Sequence, residues 1–357
     1  MHNIKAEITK NNISLSKIVN IFKSETGQNL SKSALSLFLN KGIEPKKINN
    51  LQEKLKQVLK KIKSSGGRTM IPSIYLSNEA RQHFKLKSDP FAPYLTKLSD
   101  IIMLQSHYYA DEMLKTAANA CMFAIITGEV GSGKTTVKDK FLEENKSTNR
   151  FTPIIPESDA GHLTAREILN AIVYELSGDT PKRNMEALAI QVKKLLKQRQ
   201  KAGEKVVLII DEAQDLHTQT LKYIKRLWEK KEGLTALLGI ALIGQPEFAT
   251  RLYGQSNAEI REVVARTTHI ALEPINNELQ AYLSHKIKQA GGNISNIITD
   301  DAVACLSEKL TLQDRNNKVQ QIAYPLETGN IMKMLMNKCV IIGEEVITKE
   351  LVESIKL

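Results

Sequence analysis

The sequence predicts an α/β fold: a parallel sheet covered by helices on both faces, a helical C-terminal lid, and an all-α helix-turn-helix unit in front. Three observations predict it. Short apolar runs of strand type alternate with helical patterns between residues 121 and 272, the rhythm of a parallel sheet. From about Asn276 the pattern turns wholly helical. Residues 1–65 also read as helices, separated by turn signals. These shifts divide the 357 residues into a helical unit at 1–65, a linker at 66–88, an α/β core at 89–275 and a helical unit at 276–357.

In the first unit, segments 4–10 and 15–24 have helical apolar spacing, and 26–29 is a turn. Ser31 is placed to cap a helix over 32–40 that stops at Gly42. After Pro45, Ile48, Leu51, Leu55, Val58 and Ile62 form one apolar stripe. Residues 1–68 hold 14 Lys and Arg against 4 Asp and Glu, whereas 69–357 hold 36 against 35. Nearly all of the formal +11 charge therefore sits in one fifth of the chain, an electrostatic footprint suited to nucleic acid. A helix, a turn and a second helix with a short polar start suggest a helix-turn-helix, whose second helix enters the major groove of duplex DNA, with a protein-docking helical bundle as the alternative. Ser31, Lys32, Ser33, Ser36, Lys41, Lys46 and Lys47 are the expected contacts. The run Lys63-Ser64-Ser65-Gly66-Gly67-Arg68 has the composition of a flexible linker.

The core opens with a turn at 89–94 and a helix near 110–120, then a strand at 121–127. Gly128-Glu129-Val130-Gly131-Ser132-Gly133-Lys134-Thr135 follows, with Thr136 beginning a helix over 136–145. A glycine-rich turn between strand and helix can aim backbone N–H groups at phosphates, at a helix end already favourable to anions. Lys134 can reach β- and γ-phosphates, and the Thr135 hydroxyl can ligate Mg²⁺. A strand at 151–155 and helices at 164–176 and 185–200 come next. Lys205–Ile210 is apolar enough for a strand buried on both faces, and Asp211 and Glu212 end it. Asp211 is then placed for the Mg²⁺ shell and Glu212 for the water attacking a γ-phosphate. A helix at 216–230 and strands at 236–243 and 268–272 complete the core. The expected ligands are a nucleoside triphosphate and Mg²⁺, the nucleotide being ATP if the family resemblance described below holds.

Cys121, Cys305 and Cys339 are isolated, without metal spacing or an even count, and suit a reducing cytoplasm. No apolar stretch approaches the ~20 residues of a membrane span. The N-terminus lacks the apolar run of a signal peptide, and no membrane association is expected.

The phrases TGEVGSGKTT, LIIDEAQDL and LIGQPE, with Asp89-Pro90-Phe91 ahead of them, resemble the AAA+ ATPases over residues 88–275. Within them the chain is similar to the branch holding ExeA-type ATPases and target-selecting ATPases of DNA transposons. Residues 29–40 and the Lys-rich helix after them are similar to the N-terminal DNA-binding domain of Mu-type phage transposition B proteins. The resemblance assigns Gly128, Gly131, Gly133, Lys134 and Thr135 to phosphates and Mg²⁺, and Asp211 and Glu212 to metal and catalytic base. It makes Gln245 the sensor of the γ-phosphate, and Arg261 or Arg266 an arginine finger offered to a neighbouring subunit. In the lid it points to Lys333 as the residue nearest the nucleotide, although lysine lacks the bidentate fork of the arginine usual there. It implies a homo-oligomer, ring or helical filament, on double-stranded DNA, serving a transposase. An ExeA-like ATPase, a replication-initiator ATPase and an ATP-modulated helix-turn-helix regulator are the alternatives.

Overall fold

The chain, a computed structural model, is described at residues 74–92, 97–254, 266–313 and 319–355, at 51–55, and at the single positions 18, 22, 30, 34, 35, 38 and 39. It divides into two compact units, Met1–Pro72 and Ser73–Leu357. In the first unit, positions 18, 22, 34, 35, 38, 39 and 51–55 are helical, and Ile18, Phe22, Leu35, Phe38, Leu51 and Leu55 are buried. The expected DNA contacts Ser31, Lys32, Ser33, Ser36, Lys41, Lys46 and Lys47 lie outside the described residues.

The second unit begins with helix α1 (Asn78–His83), capped by the Ser77 hydroxyl, which accepts from the Ala80 N–H. The core then runs α2 (Gln105–Ala120), β1 (Phe123–Gly128), α3 (Lys134–Thr148), β2 (Phe151–Ile154), α4 (Ala165–Ser177), α5 (Met185–Lys201) and β3 (Lys205–Ile210). It continues through α6 (Thr218–Trp228), a small hairpin of β4 (Lys231–Glu232) and β5 (Thr235–Ala236), then β6 (Gly239–Gly244), α7 (Pro246–Tyr253) and β7 (Thr268–Leu272). The lid comprises α8 (Leu279–Gln289), α9 (Asp300–Lys309), a hairpin of β8 (Thr311–Gln313) and β9 (Val319–Gln321), α10 (Pro325–Ile342) and α11 (Lys349–Glu353).

Five strands form one parallel sheet in the order β2-β3-β6-β1-β7. The alternation along each strand assigns its two faces. Phe123, Ile125, Leu208 and Leu242 pack beneath α4, α5 and α6, while Ala124, Ile126, Ile209 and Ile243 pack beneath α2 and α3. β1, β3 and β6 are buried on both faces apart from Lys205 at the start of β3, which explains their unbroken apolar composition. All strands share one direction, so the loops after β1, β3 and β6 gather along one edge of the sheet.

Four boundaries differ from expectation. The first core helix starts at Gln105, and Cys121, read as strand, ends that helix in the left-handed region at φ 51°. The run 236–243 is two elements, because Ala236 pairs with Lys231 in the hairpin and the buried strand begins only at Gly239. A side chain at 239 would place its Cβ 2.0 Å from the Ala117 carbonyl oxygen, so α2 and β6 pack this closely only through glycine. The lid is not wholly helical: β8 and β9 pair antiparallel within it. Asn276 ties that hairpin down, donating to the Ser307 and Leu310 carbonyls and accepting from the Ala323 N–H.

Candidate nucleotide site

The loop between β1 and α3 closes because three glycines stand where side chains do not fit. Gly131 (φ 78°) and Gly133 (φ 97°) adopt backbone conformations that L-residues rarely adopt. A Cβ at 131 would lie 2.4 Å from the Leu326 Cβ, and one at 133 would lie 2.8 Å from His107 Nε2. At Gly128 the obstruction is the Ser132 hydroxyl, 2.4 Å away. Gly133 caps α3, so the first amides of that helix face the loop.

Lys134, buried at 9 % exposure, curls over the loop and donates to the Gly128 and Glu129 carbonyls at 2.7 and 2.9 Å. Burial lowers its pKa, partly offset by the Glu212, Asp211, Glu129 and Glu247 carboxylates. Thr135 is exposed and Thr136 half-buried, both on the rim of one cavity. That cavity measures about 340 Å³, within the usual range for small-ligand pockets. Val130, Gly131, Gly133, Glu212 and Gln245 also line it. Phe91, Ile101, Ile102, Tyr282 and Leu326 give it an apolar wall. This wall joins the segment before α2 to the lid and forms an apolar slot beside the glycine loop.

At the end of β3, Asp211 Oδ2 accepts from Lys138 Nζ at 2.6 Å, and Oδ1 accepts from the Glu212 N–H at 2.9 Å. Glu212 holds φ 51°, a conformation a non-glycine residue keeps only where its surroundings enforce it. Its Oε2 accepts from the Gln214 and Gln245 side-chain amides. Gln214 also accepts the Gln245 N–H at 3.0 Å, so one side chain joins both residues. Behind it Arg251 donates to the Gln214 and Leu216 carbonyls. The sheet order inserts β6 between β1 and β3, and for that reason Gln245 arrives between the phosphate loop and Glu212.

The residues present fit a metal-bound nucleoside triphosphate. Among the described residues, no group of three or more His, Cys, Asp or Glu could hold a metal by itself. One hydroxyl at Thr135 and one carboxylate at Asp211 are the sparse donors Mg²⁺ takes when phosphates and water complete its shell.

The structure thus brings together Gly128 to Thr136, Glu212 and Gln245, with Asp211 directly behind Glu212. Two expected residues stand elsewhere, and a third, Arg261, is outside the described residues. Arg266 precedes β7, at the edge of the sheet opposite the phosphate loop, and pairs with Glu229 at 3.3 Å. Lys333 does not line the cavity. It is buried at 4 % exposure and donates to the Phe91 carbonyl, because Gly329, one turn earlier on α10, is the residue facing the pocket. The lid cation that does line the cavity is Lys286, its pKa lowered by burial.

Sequence reasoning missed Gln214, Lys138 and His107. His107 lies under the loop at 4 % exposure, its Nε2 2.7 Å from the Ser132 carbonyl oxygen, with its pKa lowered by burial. Gln214 and Lys138 were visible as polar residues two after Glu212 and four after Lys134, but nothing local signals which way they turn.

Residues 118–252 match the family described as AAA domain. General secretion pathway protein A of Aeromonas hydrophila is 29% identical over 185 residues, 52% of this chain and 33% of that protein. The chain therefore matches only about a third of that relative's length. Among solved structures, Cdc6p from Pyrobaculum aerophilum is similar with a TM-score of 0.48 and 15% identity, over 72% of this chain and 67% of that one. The ORC2 protein of Aeropyrum pernix, in its ADPNP–ADP complexes, gives 0.46 and 15%, over 74% and 70%. The glycine cradle, the acidic strand end and four of the five strands of the parallel sheet lie within the segment that matches the AAA domain family, and the sheet with its phosphate loop and flanking helices has the AAA fold.

Proposed function

We propose that this chain is a Mg²⁺-dependent ATPase whose nucleotide state governs its grip on double-stranded DNA, and that it delivers target DNA to a transposase. The convergence of Lys134, Glu212 and Gln245 on one cavity with an apolar slot supports the catalytic half. In this reading the glycine loop and the α3 N-terminus hold the phosphates, and the Lys134 ammonium offsets their charge. Glu212, held by Gln214 and Gln245, orients the attacking water and takes its proton. Water oxygen bonds to the γ-phosphorus as the bond to the ADP oxygen breaks, leaving ADP and phosphate. Mg²⁺ at Thr135 and Asp211 would neutralise developing charge on the phosphate oxygens. Arg266, on the far edge of the sheet, serves the nucleotide of a second copy, hence a ring or helical filament.

The DNA half rests on the charge excess of residues 1–68 and their resemblance to the DNA-binding domain of Mu-type transposition B proteins. Phosphate contacts would make binding steeply salt-dependent and weakly sequence-specific. A cytoplasmic setting accords with three free buried cysteines and with no membrane-crossing helix among the described residues.

The matched general secretion pathway protein A favours a second reading, an ExeA-like ATPase, but the shared part spans only the nucleotide domain. One experiment separates these readings: binding of the full chain to random-sequence duplex DNA with and without ATP. ATP-tightened binding upholds the transposition reading. Equal binding in both conditions removes it and leaves the ATPase half standing.

A further inference from the structure

The Lys138–Asp211 pair has no part in the mechanism above, yet it engages the one carboxylate assigned to the metal. Lys138 lies one turn beyond Lys134 on α3 and three residues beyond Thr135, on the helix face turned toward the end of β3. Its Nζ is 2.6 Å from Asp211 Oδ2, and the two side chains are only 17% and 27% exposed. Asp211 Oδ1 is engaged as well, by the Glu212 N–H. Both oxygens of the carboxylate thus have donors, one carrying a full positive charge in a partly shielded place. A divalent cation approaching Asp211 meets a neutralised carboxylate and a like charge beside it, and such repulsion grows as water is excluded.

We propose that Lys138 gates the metal: its ammonium competes with Mg²⁺ for Asp211 and so sets the Mg²⁺ concentration at which nucleotide is gripped. The proposal rests on the nucleotide site described above. Binding of the metal with the triphosphate releases the ammonium from Oδ2. This links α3, and through it the phosphate loop, to the end of β3 differently in metal-free and metal-loaded protein. Lys138 is a positioning residue, since it acts through Asp211 and touches no reacting atom.

The test is a Mg²⁺ titration of the full chain bound to a fluorescent, non-hydrolysable ATP analogue, followed by anisotropy, so that turnover plays no part. Lys138→Met keeps the aliphatic stem and should lower the half-maximal Mg²⁺ concentration about tenfold, the order of one close unit charge screened as in water. Lys138→Arg keeps the charge and should stay within about twofold of the wild type by the same argument. In an Asp211→Asn background, Lys138→Met should change nothing further, because the two act as one unit. An unchanged or raised Mg²⁺ requirement in Lys138→Met overturns the proposal, as does an equal shift in the Asp211→Asn background. Should Lys138→Met fail to fold, judged by its melting curve, Lys138→Gln, which removes the charge but keeps a polar side chain, is titrated in its place and must meet the same outcomes. Analogue binding by wild type with no response of Lys138→Met refutes the gate alone, whereas no binding by wild type refutes the nucleotide reading as well.

Discussion

At the C-terminal edge of the sheet, Lys134, Glu212 and Gln245 meet in one cavity, whereas at the N-terminal edge Arg266 pairs with Glu229 and does not line that cavity. The two edges are separated by the length of β7, five residues or about 17 Å at strand rise. No arginine side chain spans that distance back to its own phosphate loop. One copy of this chain thus gathers the candidate nucleotide residues on one edge and holds Arg266, paired with Glu229, on the other.

Five substitutions test the two edges, beginning with the one whose consequence should be greatest. Lys134→Ala should abolish binding of the fluorescent ATP analogue, because the buried ammonium is the cation over the cradle; anisotropy would read it. Arg266→Ala should leave binding intact but lower ATP turnover about 10³-fold, the low end for an arginine supplied in trans. Mixing it with Lys134→Ala subunits should then restore part of the rate, and turnover unaltered by Arg266→Ala would unseat the trans assignment. Glu212→Gln should cut turnover about 10²–10³-fold, within the general-base range, with analogue binding retained. Gln214→Leu removes the link between Glu212 and Gln245 and should cost roughly ten- to a hundredfold in kcat with little change in KM, as for a misplaced catalytic group.

The smallest effect concerns pH. Burial depresses the His107 pKa below its ordinary value, so the unfolded chain binds the proton more readily than the folded one. The stability this contributes is present above the unfolded pKa near 6.5 and is lost as pH falls through it toward the lower folded value. Tm should drop between pH 7 and 5, and His107→Gln should make that slope shallower. His269 and His285 are depressed in the same direction and would keep part of the slope in the variant.

Much of the edge that carries the candidate site was legible residue by residue. The spacing from Gly128 to Thr135, the apolar run ending at Asp211 and the strand before Gln245 are all local patterns with local causes. The lid was less legible. Gly329 and Lys333 share one helix face by spacing, yet Phe91 and the turn around it decide that glycine faces the cavity and lysine is covered. Lys286 gave no signal in its own segment, because its place depends on how α8 leans against the Asp100 carbonyl. The hairpin inside the lid escaped notice because Thr311–Gln313 and Val319–Gln321 are short and carry no alternating apolar pattern.

By itself the sequence determined where backbone must bend and where it must be dry. Glycines at 131 and 133 permit positive φ, and unbroken apolar runs admit only a strand covered on both sides. Tertiary structure alone decided which polar groups meet. The insertion of β6 between β1 and β3 brings Gln245 to Glu212, and the approach of α3 to β3 sets Lys138 on Asp211. Backbone conformation is governed by neighbours in the chain, whereas hydrogen bonds and ion pairs between distant residues exist only after packing has chosen their distance.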